Sequence, residues 1–438
     1  MATPLQSAAT TARFQAAQAG LPGHGLDWLE HIRAAGMSRF GELGFPSPRI
    51  EAWKYTDLRP LEKLALDPAA AATDAAVPAP LLDGRHRLVF VNGRYNAGLS
   101  TPGLLPPGVE LTSLAALLQQ EPQALRGRLA MPGADDDQAM TALNLALMQD
   151  GLVLRLGRGV QLPAPIEVIY LGAAGEATTA QHCRNLILLD EGAQATVIEQ
   201  HTGQGSYLAN SVTQVRLGQG AMLRQVKVQT EAATAWHIAA VFAELGRDAT
   251  YETFTLSLGG RLARSEIRVR LAGQGASCRL DGIYLGRGRQ HLDQTNIVDH
   301  LAPHTTSRQL YKGALDETGR GVFQGRITVH PKAQKSDGQL LNKTLLLSAG
   351  AEMDTKPELE IYADDVKCGH GAATGDLDAA QLFYLRSRGM PEALARRVLV
   401  EAFVGEVIDG LPVAALQEPL RAQAGQWLAA WSDAETQE

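Results

Sequence analysis

The residues with the most chemical content are a thiol and an imidazole two positions apart. In the stretch ADDVKCGHGAATG, Cys368 and His370 sit at the end of a strand-like run. Side chains two apart on a strand share a face and lie about 6.6 Å from one another along it. A thiolate and a neutral imidazole form a soft-to-borderline ligand pair suited to iron, zinc or a sulfide cluster. Two ligands are too few for a stable site, so the rest must come from elsewhere in the fold or from a partner chain. The structural alternative is a buried thiol beside a hydrogen-bonded imidazole near a turn.

The remaining candidates are weaker. His300 and His304 are four apart, but Pro303 between them argues against a helical two-histidine metal face, and both read as turn residues. His182 and Cys183 are adjacent and would point to opposite faces of a strand. Cys278 reads as a small buried hydrophobe. Asp281, Asp293 and Asp299 could supply the carboxylates of a polysaccharide lyase or hydrolase, although nothing in their spacing separates them from solvated turn residues. The phosphate-cradling G-x-x-x-x-G-K-[ST] loop does not occur, nor do G-x-G-x-x-G, H-E-x-x-H, G-x-S-x-G or C-x-x-C. The chain is therefore not expected to bind a nucleotide, or to do zincin or serine-hydrolase chemistry by itself.

Composition narrows the class further. The 438 residues carry a net charge of −7, with 45% hydrophobic and 20% charged residues, which excludes both a disordered chain and a basic nucleic-acid-coating one. Three cysteines cannot build a disulfide framework in so long a chain, which points to a reducing compartment, the cytoplasm. No apolar run reaches about 18 residues, so no membrane span is expected. The first twenty residues lack a charged start followed by an apolar core, so a secretory leader is not expected either. They are rich in Ala and Thr and free of acids, as organelle transit peptides are, but hold a single Arg.

The elements that must position these residues fall into zones. Residues 1–66 form a helical N-terminal region, in which Trp28, Leu29 and Ile32 share a face behind a candidate cap at Asp27. Residues 67–84, with repeated Pro and Ala and no periodicity, read as a linker. From 85 to 375, short runs such as HRLVFVNG, IEVIYLG and NLILLDEG are broken by Gly, the texture of an all-β region without intervening amphipathic helices. Within that zone a turn cassette recurs at Ala193, Ala221, Ala249 and Ala276, at intervals of 28, 28 and 27 residues. A later pair, Val322 and Ala351, is 29 apart. Such regularity suits a β-solenoid whose turns stack on one another, with an irregularity or extra strands in the longer gap from 276 to 322. Residues 376–438 are helical again. DLDAAQLFYLRSRG has acids at its start, Arg near its end and Gly389 as a terminator. A second helix follows Pro391, with Leu394, Val398 and Phe403 on its apolar side, and a third covers about 413 to 431. This bundle is expected to cap the open end of the solenoid.

Two stretches carry a family resemblance. Residues 330–390, HPKAQKSDGQLLNKTLLLSAGAEMDTKPELEIYADDVKCGHGAATGDLDAAQLFYLRSRGM, closely resemble the SufB/SufD family of iron–sulfur cluster assembly scaffolds. Residues 49–61, RIEAWKYTDLRPL, are similar to an amino-terminal signature of the SufD branch, and C-x-H-G-A leading into LFYLRSRG also looks more like that branch than SufB. Ala373 stands where Thr is frequent. The resemblance implies a mainly β fold, a right-handed parallel β-helix core flanked by helical domains. It implies a non-catalytic scaffold that pairs with a SufB-like subunit through the β-helix. The C-terminal helices would bind a SufC-like ABC ATPase, which would account for the missing P-loop. Sulfur would come indirectly from a cysteine desulfurase system. It places His370 and Cys368 near the cluster-forming site at the SufB interface, as ligands of an iron–sulfur cluster or iron held transiently and shared with the partner. For ATPase docking it points to Phe383, Tyr384, Leu385 and Arg386. A SufB-like homodimeric scaffold is the alternative. Neither nucleic acid nor membrane is an expected partner.

Overall fold

The computed structural model describes residues 12, 16–64, 66–69, 75–129, 138–173 and 178–435. Most of the N-terminal stretch considered for targeting, and residues 70–74 of the expected linker, lie outside these. The chain forms a parallel β-solenoid built from two sheets. Sheet A stacks Leu152–Leu156, Thr179–Leu189, Tyr207–Leu217, Trp236–Leu245, Leu262–Leu271, His291–His300, Arg320–Val329 and Glu352–Ile361. Sheet B stacks Ile166–Ala173, Gln194–Gln204, Met222–Gln229, Thr250–Ser257, Ser277–Gly286, Thr306–Leu315, Asp337–Leu346 and Lys367–Gly375. Each turn contributes one strand to each sheet. No helix among the described residues is long and apolar enough to cross a membrane.

The repeat is set at one corner. Successive strands of sheet B start opposite one another at Gln194, Met222, Thr250, Ser277, Thr306, Asp337 and Lys367, every 27 to 31 residues. The residue two before each of the first six starts is left-handed: Gly192, Gly220, Asp248, Gly275, His304 and Lys335, with φ from 55° to 73°. Its N–H donates to a carbonyl of the following turn, as from Gly192 to Gln219 at 2.8 Å and from Lys335 to Asp365 at 2.7 Å. The ladder therefore continues around the bend. The next residue is small and fully buried, Ala193, Ala221, Ala249 and Ala276, because the corner above lies one strand spacing away, about 4.8 Å. The same position holds Thr305 and Ser336, whose hydroxyls bond each other at 2.9 Å. No irregularity interrupts residues 276 to 322: the repeat runs on with Thr and Ser in place of Ala at the corner. Val322 and Ala351 are not equivalent positions, since Val322 pairs with Asp354 in sheet A.

Alternate residues face the lumen, where Val197, Leu223, Tyr251, Leu280, Tyr284, Ile267 and Phe323 join in one buried cluster. Tyrosine rings fill it by lying over glycines of the paired strand. Tyr284 is opposite Gly313, and Tyr311 is opposite Gly282. A Cβ on Gly313 would meet the Tyr284 ring at 1.9 Å.

The outer faces are covered by the two ends of the chain. Ala180, Leu208, Trp236, Ile238 and Leu262 of sheet A pack against Met37, Phe40, Trp53, Leu58 and Leu61. Among the described residues of the early region only Asp27–Leu43 is a long helix, and 3-10 turns at Glu51–Trp53 and Arg59–Lys63 follow it. Asp27 is the first helical residue and makes no side-chain cap. Asp67–Pro68, in the expected linker, pairs with Thr179–Ala180. Two short helices, Leu114–Gln120 and Ala139–Leu147, precede the regular stack inside the zone expected to be all β. Ala139–Leu147 (AMTALNLAL) is apolar almost all round and buried between Asp27–Leu43 and sheet A, so it has no amphipathic period to read.

The C-terminal helices Glu392–Asp409 and Gln417–Glu435 lie on the outer face of sheet B instead of capping its end. Val400, Val404, Val407, Leu420 and Leu428 meet Val226, Val228, Phe254, Leu256 and Ile283. Lys312, buried in sheet B, donates to the carbonyl of Phe403 at 2.9 Å and pairs with Glu406 at 2.5 Å. Leu394 is 44% exposed, away from this face.

A left-handed residue with a Cβ costs about 1–2 kcal/mol, so His304→Gly should raise stability by about 1 kcal/mol. Gly313→Ala, which overpacks the lumen, should lower it by about 1–3 kcal/mol. Urea midpoints at constant m-value check both.

Candidate functional site

The last turn is open. Glu352–Ile361 and Lys367–Gly375 end their sheets and each pairs on one side only. Such an edge presents free backbone donors and acceptors to another chain. Ile361 and Tyr362, at 43% and 62% exposure, add apolar surface beside it.

Cys368 and His370 lie on this edge strand opposite Gly338 and Leu340. Leu340 belongs to the lumen core, so both side chains face the lumen at its open mouth. Cys368 is half-buried against that core, whereas His370 is exposed. Burial pushes the Cys368 thiol above its ordinary value, against a backbone hydrogen bond from Gly338. Ligation of a metal there must therefore displace a proton.

The N-terminal segment runs across the outer face of the turns that lead to this one. Arg264 is fully buried, stacks on the Trp53 ring at 4.0 Å and bonds Asp293 at 2.6 Å and Glu266 at 3.0 Å. Thr56 donates to Asp293 at 2.5 Å. Glu51 bonds Lys356, on the last strand of sheet A, at 2.5 Å. The stretch RIEAWKYTDLRPL is thus a clamp over successive turns, down to the one that carries the open edge.

The helix Ala379–Ser387 projects beyond it. Asp378 caps the helix, accepting from the N–H groups of Ala380 and Gln381, and Gly389 ends it at φ 88°. None of its residues is buried. Phe383 and Tyr384 are 74% and 57% exposed, Leu385 is half-buried, and Arg386 pairs with Glu392 at 3.0 Å.

The other sequence candidates are dispersed. His300 bonds Thr305 at 2.8 Å and Ser307 at 2.9 Å, and His304 is the left-handed corner residue. His182 meets Asn210 on the outer side of sheet A, while Cys183 and Cys278 join the lumen core. Asp293 is bound to Arg264 and Asp281 to Arg279 at 2.6 Å. Asp281 lies on sheet B and Asp293 and Asp299 on sheet A, the latter two about 20 Å apart along one strand, so they form no carboxylate pair.

Sequence reasoning missed a buried polar group in the lumen. It comprises Glu199, His201, Lys227, Glu231 and His237, all under 10% exposed. Glu199, His201, Lys227 and His237 share the parity of lumen residues such as Val197, Leu223 and Ala243, the one signal that could have found them.

The chain matches two regions of one family over nearly all its length. Residues 170–403 match the SufBD core domain of SUF system FeS cluster assembly, and residues 7–168 match the SufBD protein N-terminal region. The chain belongs to the SufBD family. It is 31% identical over 411 residues to an iron–sulfur cluster assembly SufBD family protein of Synechocystis, covering 90% of each chain. To the iron–sulfur cluster assembly protein SufD of Escherichia coli it is 33% identical over 395 residues, 88% of this chain and 90% of the relative. To that of Bacillus subtilis it is 24% identical, over 90% of this chain and 92% of the relative. It is thus an iron–sulfur cluster assembly protein of this family, and the SufBD core match includes both the open edge and the exposed helix.

Of the three free cysteines, two are buried and Cys368 alone is partly exposed. A thiol reagent should therefore label one site per native chain, faster as pH rises because the Cys368 thiol is held up. Cys368→Ser should abolish that labelling, with mass spectrometry as the readout.

Proposed function

We propose that this chain is a non-catalytic scaffold subunit of a SufBCD-type complex. Its open last turn pairs with a SufB-like subunit, and a nascent iron–sulfur cluster or iron, the cargo of the complex, forms at the junction. The observation that carries this reading is the juxtaposition, on one edge strand paired on a single side, of backbone groups able to extend a sheet and two metal-ligand side chains facing the lumen. A thiol and an imidazole cannot complete a metal site, so the partner supplies the remaining ligands. His370 is exposed and available, while Cys368 must be deprotonated on binding.

The helix Ala379–Ser387 is the docking element for a SufC-like ABC ATPase, which holds the nucleotide. Exposed aromatic side chains on a rigid capped helix suit a partner groove. Desulfurase-derived sulfur reaches the complex through the partners. A homodimer paired through the same edges is the second reading, supported by the edge itself, and it differs in the mass of the purified assembly.

Tagged protein from its native extract should retain a SufB-like chain and an ABC-type ATPase, and failure to do so would sink the scaffold reading. His370→Ala should abolish cluster assembly in cells while complex and fold persist; complementation at the wild-type level removes His370 from the site. Phe383→Asp should cut retention of the ATPase at least about tenfold, the effect of a hot-spot loss of roughly 1.4 kcal/mol or more, without changing retention of the other subunit.

A further inference from the structure

We propose that His201, Glu231 and His237 form a binding site for a divalent first-row transition-metal ion inside the solenoid, remote from Cys368 and His370. One ligand atom from each of the three lies within 4.8 Å of the others, and all three side chains are buried. Two imidazoles and a carboxylate are a donor set for Zn²⁺ or Fe²⁺ and leave coordination positions open.

The imidazoles are held as metal ligands are held. The rings of His201 and His237 meet edge to face with centroids 4.8 Å apart, and Tyr170 stacks on His201 at 4.7 Å. Each imidazole has a carboxylate on one nitrogen. Glu199 is 3.2 Å from His201 Nε2, and Glu231 is 2.9 Å from His237 Nδ1. Both oxygens of Glu231 face His237 Nδ1, at 2.9 and 3.2 Å, so an ion in place of the proton between them would be shared by carboxylate and imidazole. The other ring nitrogen, His237 Nε2, is buried and has no hydrogen-bond partner. A carboxylate beside a ligating imidazole is the usual support around a bound metal, the place that Glu199 takes for His201.

The carboxylates are fixed in turn. Gln225 donates to Glu199 at 2.6 Å, and Gln229 donates to Glu231 at 2.8 Å. Lys227, the nearby buried cation, donates to the Ser265 hydroxyl at 3.0 Å. Counted as ions, Glu199, Glu231 and Lys227 leave one net negative charge in an enclosed site, which a dication offsets. Entry is from the side of Glu231, which also lines a cleft of about 1090 Å³ between Pro60 and Leu64 of the N-terminal segment and Trp427 of the last helix.

This inference is independent of the scaffold reading. Full-length protein stripped with a chelator is titrated with Zn²⁺, and anaerobically with Fe²⁺, against a competing chelator. One equivalent of at least one ion should bind to the wild type and equally to a Cys368→Ser/His370→Ala double variant. Glu231→Gln and His237→Gln should weaken it by at least about tenfold. Absence of binding by the wild type, equal binding by Glu231→Gln and His237→Gln, or loss in the double variant would each overturn the proposal. If the lumen variants do not fold, anomalous diffraction from wild-type crystals grown with Zn²⁺ decides it: a peak among the three side chains upholds the site, and its absence there refutes it.

Discussion

Everything in this molecule depends on a backbone ladder that does not break at the corner. A parallel stack survives only if each turn enters its strand in register with the turn below, because a one-residue slip would exchange lumen and outer faces. The left-handed residue before each small corner residue makes the bend, and its N–H is given to the following turn. Where glycine is replaced there, as at Asp248, His304 and Lys335, the hydrogen bond is the same. The stack holds these residues in a conformation they would not choose alone.

A stack built this way has uniform sides and two distinct ends. Its sides are apolar outer faces that the chain covers with its own termini: the N-terminal segment on sheet A and the C-terminal helices on sheet B. Among the described residues the final end has no such cover. Its edge strands retain unused hydrogen-bonding groups, and the chain places a thiol and an imidazole there. Covering the sides and leaving the end open is what directs association to one place. Arg264, a charge buried on one side, is set against Trp53, Asp293 and Glu266. Removing one member of such a set leaves a buried charge unpaired, which is why the N-terminal signature contributes to the stability of the stack.

The lumen adds a second polar environment. Most of it is aliphatic or filled by tyrosines lying over glycines, but around His201 and His237 it holds carboxylates and a lysine. These residues come from different turns and different sheets. A solenoid converts a 28-residue sequence interval into a few ångströms, so groups that look unrelated along the chain become neighbours.

The sequence by itself determined the repeat, the β character of residues between the helical ends, and the residue types at 368 and 370. These are local matters: a corner needs a small residue, a strand alternates, a helix ends at Gly389. Reading only Ala at the corner lost the repeat after 276, because Thr305 and Ser336 meet the same steric demand with a hydroxyl. The family resemblance brought roles for Cys368, His370 and the Phe383–Arg386 run that residue spacing could not. Tertiary structure decided where the C-terminal helices lie, that the end of the stack stays uncovered, that Ala139–Leu147 is a buried helix, and that His201, Glu231 and His237 converge. Each of those depends on which face meets which across the sheets. A pattern of apolar residues states that a face is buried, but not what buries it.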